Sequence, residues 1–173
     1  MHYTQTISSP LGNILLSADE VGLTGLWFDG GRYYADTLPE EHVERETPIL
    51  MDTKRWLDVY FTGREPDFTP LLHPTGSPFR QTVWQLLLEI PYGQTTTYGA
   101  LAKRLGGVRM SAQAVGGAVG HNPISIIVPC HRVVGTNGSL TGYAGGLDRK
   151  IRLLEIEQTD MHGLFRPKKG TAI

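Results

Sequence analysis

The sequence predicts an α+β chain built from two unlike halves. Three observations carry this prediction: short apolar runs broken by turn residues before residue 31, a proline-rich stretch near residue 70, and apolar residues at helical spacing from residue 79 onward. Tyr3–Ile7, Asn13–Ala18 and Leu23–Phe28 read as strands of an antiparallel meander. Ser8–Gly12, Asp19–Gly22 and Asp29-Gly30-Gly31 supply the turns between and after them. Thr47-Pro48 then reads as an N-cap followed by proline in the first helical turn, with Ile49, Trp56 and Tyr60 on one face of the helix. Pro66–Pro78 is rich in proline and turn residues, and the domain boundary is expected there.

The second half reads as helices. Ser77-Pro78 repeats the cap-plus-proline signal, and Phe79, Val83, Leu86, Leu87 and Ile90 follow at helical spacing until Pro91-Tyr92-Gly93. Tyr98, Leu101, Ala102 and Leu105 form a second amphipathic helix that ends at Gly106-Gly107. Ser111 can cap a third, with Ala112, Val115 and Val119 facing inward. Two short helices joined by a glycine-containing turn make a helix-turn-helix, a motif that plain helical packing also produces. The outer face of the third helix carries Gln113, Gly116, Gly117 and Gly120 beside Ala114. Each interior glycine costs a helix up to about 1 kcal/mol relative to alanine, so another surface is expected to approach this backbone closely. Tight helix packing and a nucleic-acid groove both meet that description.

Charge sharpens the contrast. Residues 1–76 carry 5 Lys/Arg and 12 Asp/Glu, a formal −7, while residues 77–173 carry 11 and 5, a formal +6. A basic half points either to a polyanionic partner or to docking on the acidic half. The start of the chain lacks the basic segment and apolar run of a signal peptide, and no apolar run is long enough to span a membrane. With a single cysteine no internal disulfide forms, and a cytoplasmic protein is expected.

That cysteine sits in IIVPCHRV, residues 126–133. The β-branched run Ile124–Val128 predicts a strand that carries Cys130 into the core, with Pro129 ending regular pairing. A lone buried cysteine is usually a small hydrophobe. Here His131 and Arg132 follow it, and Glu157 lies on the same side of the last helix as Leu147, Ile151 and Leu154. An inward carboxylate needs a partner, and a histidine that takes a proton from a thiol is one. Cys130, His131 and Glu157 thus read as nucleophile, base and orienter, with nearby positive charge expected to lower the thiol pKa. The same set fits a cysteine hydrolase.

The run NPISIIVPCHRVVG, then Gly142-Tyr143-Ala144-Gly145-Gly146 and Lys150 through Glu157, closely resembles the O6-alkylguanine-DNA alkyltransferase family. The resemblance spans about residues 77–158 and is looser before that. It implies a ribonuclease-H-like first domain (1–76) and a winged helix-turn-helix DNA-binding and alkyltransferase domain (77–160); of the C-terminal tail (161–173), the stretch after His162, GLFRPKKGTAI, reads from its residues as a loose basic extension. It implies DNA repair in which Cys130 accepts an alkyl group from O6-alkylguanine, with O4-alkylthymine left open as a second substrate, in a single-turnover suicide reaction after base flipping. No cofactor or metal is implied, and the partner is double-stranded alkylated DNA met by a monomer. By the same resemblance His131 deprotonates Cys130 through a water and Glu157 orients His131. Asn122 is the hinge between recognition helix and active site, and Tyr98 aids proton delivery and phosphate rotation. Ser111, Ala112, Gln113, Ala114, Gly116 and Arg132 are expected at the DNA. Tyr98, Ser125, Val133, Tyr143, Ala144 and Gly145 are expected around the base pocket, where small Ser125 and Ala144 leave room for larger adducts. Two departures stand out. Gln113 replaces the family's usual arginine, and the first half lacks the cysteines with which some members hold zinc, leaving His2, His42 and His73 as surface or loop residues. Family-related proteins that bind lesions without reacting lack the acceptor cysteine, and this chain has it.

Overall fold

A computed structural model describes residues 1–106 and 111–168. The first half is a four-stranded sheet with one helix on it. Strands β1 (His2–Ile7), β2 (Ile14–Ala18) and β3 (Leu23–Phe28) form the expected antiparallel meander. Ser9 and Gly12 close the first turn with reciprocal backbone hydrogen bonds of 3.1 Å, and Gly12 has the positive φ (109°) that such a turn requires. The Asp19 carboxylate accepts from the amides of Val21 and Gly22 at the second turn. A fourth strand, β4 (His42–Glu44), pairs parallel to β1 and gives the order β3-β2-β1-β4. Its three residues are all exposed, so no hydrophobic pattern announced it.

Helix α1 (Pro48–Tyr60) starts where its cap predicts: Thr47 Oγ1 accepts from the Leu50 amide at 3.3 Å. Its buried face is Leu50, Thr53, Trp56, Leu57 and Tyr60, with Ile49 at the margin.

In the second half, α2 (Pro78–Leu87) and α4 (Ala112–Gly120) begin at Ser77 and Ser111, whose hydroxyls accept from the amides of Arg80 and Ala114. Between them lies α3 (Tyr98–Gly106), and the indole of Trp84 on α2 donates to Ala118 O on α4 at 2.9 Å. The helix-turn-helix turn, with Arg109, which its charge in the basic half makes a candidate phosphate contact, falls outside the described residues. Strands β5 (Thr96–Thr97) and β6 (Val133–Val134) form a small parallel pair, and α5 (Leu147–Ile156) closes the fold. No helix among the described residues is long and apolar enough to cross a membrane.

One hydrophobic core joins both halves: Leu16, Leu26 and Leu57 share a cluster with Val83, Val115, Ile124 and Leu153. The seam is also hydrogen bonded. Leu26 N donates to Pro123 O (2.8 Å) and Ser125 N donates to Leu26 O (3.0 Å), so the segment before Cys130 covers the edge of β3.

Four expectations are corrected. Ile124–Val128 is not a strand but a series of tight turns, in which Ile126 takes φ 71° and Val128 N bonds back to Ile124 O. A positive φ on a β-branched residue costs roughly 1–3 kcal/mol. Asn122 holds the turn, its side chain bonding Ile124 N, Ile124 O and Val128 O. On α4, Ala112 is exposed and Gly120 is buried, the reverse of the expected faces. The inner stripe of α5 is Lys150, Leu153 and Leu154, continued by Glu157 at its C-cap, rather than a stripe centred on Leu147 and Ile151. Those two residues pack in a second small cluster with Val134 and Leu140. Finally, the tail after His162 is held rather than loose as far as residue 168: Phe165 N donates to Gly138 O, Leu140 N donates to Phe165 O, and Arg166 pairs with Asp148 at 2.9 Å, while residues 169–173 lie outside the described residues.

Candidate active site

Cys130 opens a single 3-10 turn, Cys130–Arg132, whose three side chains are buried. The turn throws His131 and Arg132 toward the end of α5, where both reach Glu157. Glu157 Oε2 accepts from His131 Nε2 (2.6 Å), Tyr60 Oη (2.6 Å) and an Arg132 terminal nitrogen (3.1 Å). Oε1 accepts from Arg132 Nε (2.8 Å) and Gly93 N (3.2 Å). The carboxylate is fully enclosed.

Burial alone would raise the Glu157 pKa, but hydrogen bonds and charge from His131 and Arg132 outweigh it and hold the carboxyl well below its usual range. An anion only accepts, so Nε2 of His131 carries the proton and Nδ1 carries the lone pair. That Nδ1 is buried with no hydrogen-bond partner among the described residues. Burial pushes the His131 pKa down, helped by Arg132 and Lys150 and opposed by Glu157. The ring is therefore neutral at neutral pH, and its free nitrogen is available as a base.

The thiol departs from expectation. Cys130 is 5% exposed, and burial pushes its pKa up despite the pull of Asn122 and of the Lys150 charge. In the free protein Cys130 rests as a thiol, so nearby cations do not prepare a standing thiolate.

Lys150 is a buried cation that sequence reasoning passed over. Its ammonium donates to the carbonyls of Val133 (2.6 Å), Thr141 (3.0 Å) and Gly142 (3.1 Å). Burial lowers its pKa to about 8. It ties the 141–142 loop to β6 while placing charge near Cys130. Tyr60 was likewise read only as a core aromatic. Neither polar role shows in local pattern, because each partner lies far along the chain.

A cleft of about 380 Å³ runs between α4 and the 135–142 loop. Ala112, Gln113, Gly116 and Gly117 form one wall, with Tyr98 and Gly142 at its depth. A smaller crevice continues inward along Tyr98, Gly142, Tyr143 and Ala144 to Cys130, and it is closed to a water-sized sphere. Tyr98 stands in both, its hydroxyl donating to Thr141 O at 3.3 Å and its pKa raised by burial. Tyr143 meets His131 edge-on with ring centroids 6.4 Å apart.

The structure thus brings Cys130, His131, Glu157, Asn122, Tyr98, Tyr143 and Ala144 together. Ser125 and Gly145 line a separate crevice behind the 143–145 loop, against Phe28 and Arg32 of the first half. Val133 is fully buried in β6 and presents its carbonyl to Lys150, so it forms no wall of the Cys130 crevice. Ser111 and Ala114 are exposed at the start of α4, outside the cleft wall. Arg132 does not face a DNA surface: its guanidinium is committed to Glu157, to Ile90 O (2.8 Å) and to the Tyr92 ring (5.7 Å).

The glycines of α4 discriminate between the two readings of its outer face. A Cβ built on Gly117 would meet nothing within 4 Å, and one on Gly116 only the Tyr98 ring edge at 3.9 Å. Packing among the described residues does not require these glycines.

Comparisons with known proteins agree over nearly the whole chain. Residues 1–73 match the family described as 6-O-methylguanine DNA methyltransferase, ribonuclease-like domain, and residues 78–159 match its DNA binding domain. A methylated-DNA–protein-cysteine methyltransferase of Methanosarcina acetivorans is 47% identical over 90% of this chain and 97% of its own. One from Haemophilus influenzae is 40% identical over 91% and 87%. Among solved structures, Mycobacterium tuberculosis OGT in complex with DNA superimposes with a TM-score of 0.80 at 41% identity, covering 90% of this chain and 92% of that one.

Proposed function

The chain belongs to the 6-O-methylguanine DNA methyltransferase family and is an enzyme of it, and from that premise we propose that it repairs DNA by moving the alkyl group of an O6-alkylguanine onto Cys130. The observation that carries this reading is the chain of contacts from Glu157 through His131 to a buried thiol, beneath a cleft walled by the glycine face of α4. As base, His131 takes the thiol proton at Nδ1 through a water while Glu157 holds Nε2–H. The sulfur attacks the alkyl carbon, the new S–C bond forms as the O6–C bond breaks, and guanine leaves with a proton delivered with the help of Tyr98. The step balances without an oxidant, a metal or a cofactor. A thioether does not hydrolyse, so each molecule reacts once.

The closed crevice supports a reaction coupled to substrate arrival. The lesion base leaves the stack, at a cost of a few kcal/mol that damage reduces, and displaces the 141–144 loop to reach the sulfur. Tyr143 then stacks on the base. Open space above Gly116 and Gly117 suits a minor-groove wall pressed against the backbone, with Gln113 filling the vacated stack and Ser111, Ala112 and Ala114 beside it. Double-stranded DNA is the partner, a monomer its reader, and the cytoplasm its place of work. Residues 1–76 and 77–160 serve as the two domains, followed by the C-terminal tail 161–173. O4-alkylthymine fits the same displacement chemistry.

The test is intact mass after incubation with O6-methylguanine duplex. A gain of one methyl, mapped to Cys130 and complete at one equivalent, is expected. Unchanged mass with tight binding would make the protein a lesion binder, and methyl release to solution would make it a turnover enzyme. Binding should weaken steeply with salt as cations such as Arg80, Lys103 and Arg104 neutralise phosphates.

A further inference from the structure

Tyr60 belongs to the first half of the chain, on α1, yet its hydroxyl ends on the carboxylate of the second half, 97 residues away. It donates to Glu157 Oε2 at 2.6 Å, the same oxygen that His131 Nε2 reaches at 2.6 Å. The ring is fully buried and caged by Trp56 (stacked, 5.2 Å), Phe61 and Tyr92 (both edge-on). Packing would be satisfied by phenylalanine. The hydroxyl adds a hydrogen bond, and its only partner among the described residues is the orienter of the catalytic histidine.

We propose that Tyr60 is a positioning residue for the alkyl transfer: by holding Glu157 Oε2 it fixes the aim and basicity of His131, so the first half of the chain tunes the thiol of the second. This rests on the proposed roles of Cys130 and His131. The two carboxylate oxygens are held unequally. Oε1 is fixed by Arg132 Nε and Gly93 N. Without Tyr60, Oε2 keeps His131 and only the longer 3.1 Å contact from Arg132. The carboxylate then swings more freely about its last torsion and gathers more charge on the atom that faces the imidazole. Tyr60 remains a neutral donor across the working range, since burial and the Glu157 charge push its pKa well up. Other charged or titratable groups facing this cluster are Arg132, Lys150, Cys130, Tyr92 and Tyr143, and none replaces the lost donor.

Three readouts on Tyr60→Phe, with Leu57→Val as a packing control on the same helix, test this. Single-turnover methyl transfer from duplex should slow roughly tenfold, the scale of one hydrogen bond to a charged group. DNA affinity should stay within about twofold, since Tyr60 lies away from the cleft. Both the acid limb of the rate–pH profile and the His131 titration followed by NMR without DNA should move upward, because a more basic carboxylate holds the imidazolium more tightly. Leu57→Val should lower the melting temperature and leave the acid limb and the titration in place. A Tyr60→Phe variant with wild-type rate and an unmoved His131 titration would overturn the proposal, as would a rate loss matched by Leu57→Val with no titration shift. If the wild type transfers no methyl while Tyr60→Phe still shifts His131, the positioning stands and the assigned reaction falls.

Discussion

Around Glu157, five hydrogen bonds from four residues converge on two oxygens that water cannot touch. On the outer face of α4, Gly117 leaves space in which a side-chain carbon would meet nothing. The first region is complete in the free protein and the second is unfinished. A buried charge left partly satisfied would destabilise the fold, so the interior settles its own bonds. A surface that receives another molecule must leave room for it. The cleft between α4 and the 135–142 loop opens beside the second region, and Tyr98 stands both in it and in the crevice that leads inward to Cys130.

The widest separation is expected from Cys130→Ser, which should abolish methyl transfer while DNA affinity stays near wild type, measured by mass and by fluorescence anisotropy. Residual methylation in that variant would break the assignment of the interior to chemistry. Next comes Glu157→Gln. It should slow transfer by about 10- to 100-fold, as loss of an orienting partner does, and lower unfolding stability by roughly 3–5 kcal/mol by leaving Arg132 buried without its anion. Equal transfer rates would reduce Glu157 to a structural anchor.

Acid should act through the interior as well. His131 has a folded pKa below its ordinary 6.5 and Glu157 one below its ordinary 4.5. In both cases the unfolded chain binds protons that the folded chain refuses, so stability rises with pH in these windows and is lost as pH falls. The melting temperature should begin to drop below about pH 6.5 and fall faster below about 4.5, and His131→Gln should flatten the first of these slopes.

The unfinished face gives smaller effects of opposite sign. Gly117→Ala should stabilise the helix by up to about 1 kcal/mol, since alanine is the better helix former and has room. It should also weaken duplex binding several-fold, because the methyl occupies the groove's place. Weakened folding together with unchanged binding would show that the space serves the chain itself. Gln113→Arg should tighten duplex binding modestly with a steeper salt dependence and leave reaction with the free methylated base unaltered. A free-base rate that moves as far as the duplex rate would place Gln113 in the pocket or the fold.

The same division decided what could be read from the sequence. Elements set by local signals were legible: the three strands between turn residues, and helices α1, α2 and α4 behind Thr47, Ser77 and Ser111. Glu157 was legible because its period from Leu153 and Leu154 turned it inward. Features set by distant partners were not. Ile124–Val128 has the composition of a strand, but Asn122 supplies bonds that bend it through a positive φ at Ile126. Arg132 is placed at the DNA by the family resemblance, whereas the 3-10 turn rotates it onto Glu157. Tyr60 and Lys150 hold partners 97 and up to 17 residues away, beyond the reach of any periodicity.

The closed crevice over Cys130 also governs which reagents reach the sulfur. Peroxides and stray electrophiles consume thiolates that they can touch, and this sulfur rests protonated and walled off from water. Iodoacetamide should label the folded protein far more slowly than the unfolded chain at the same pH, and methylated duplex should not have to compete with it. On the proposed single-turnover transfer, a sulfur sheltered in this way is spared between lesions.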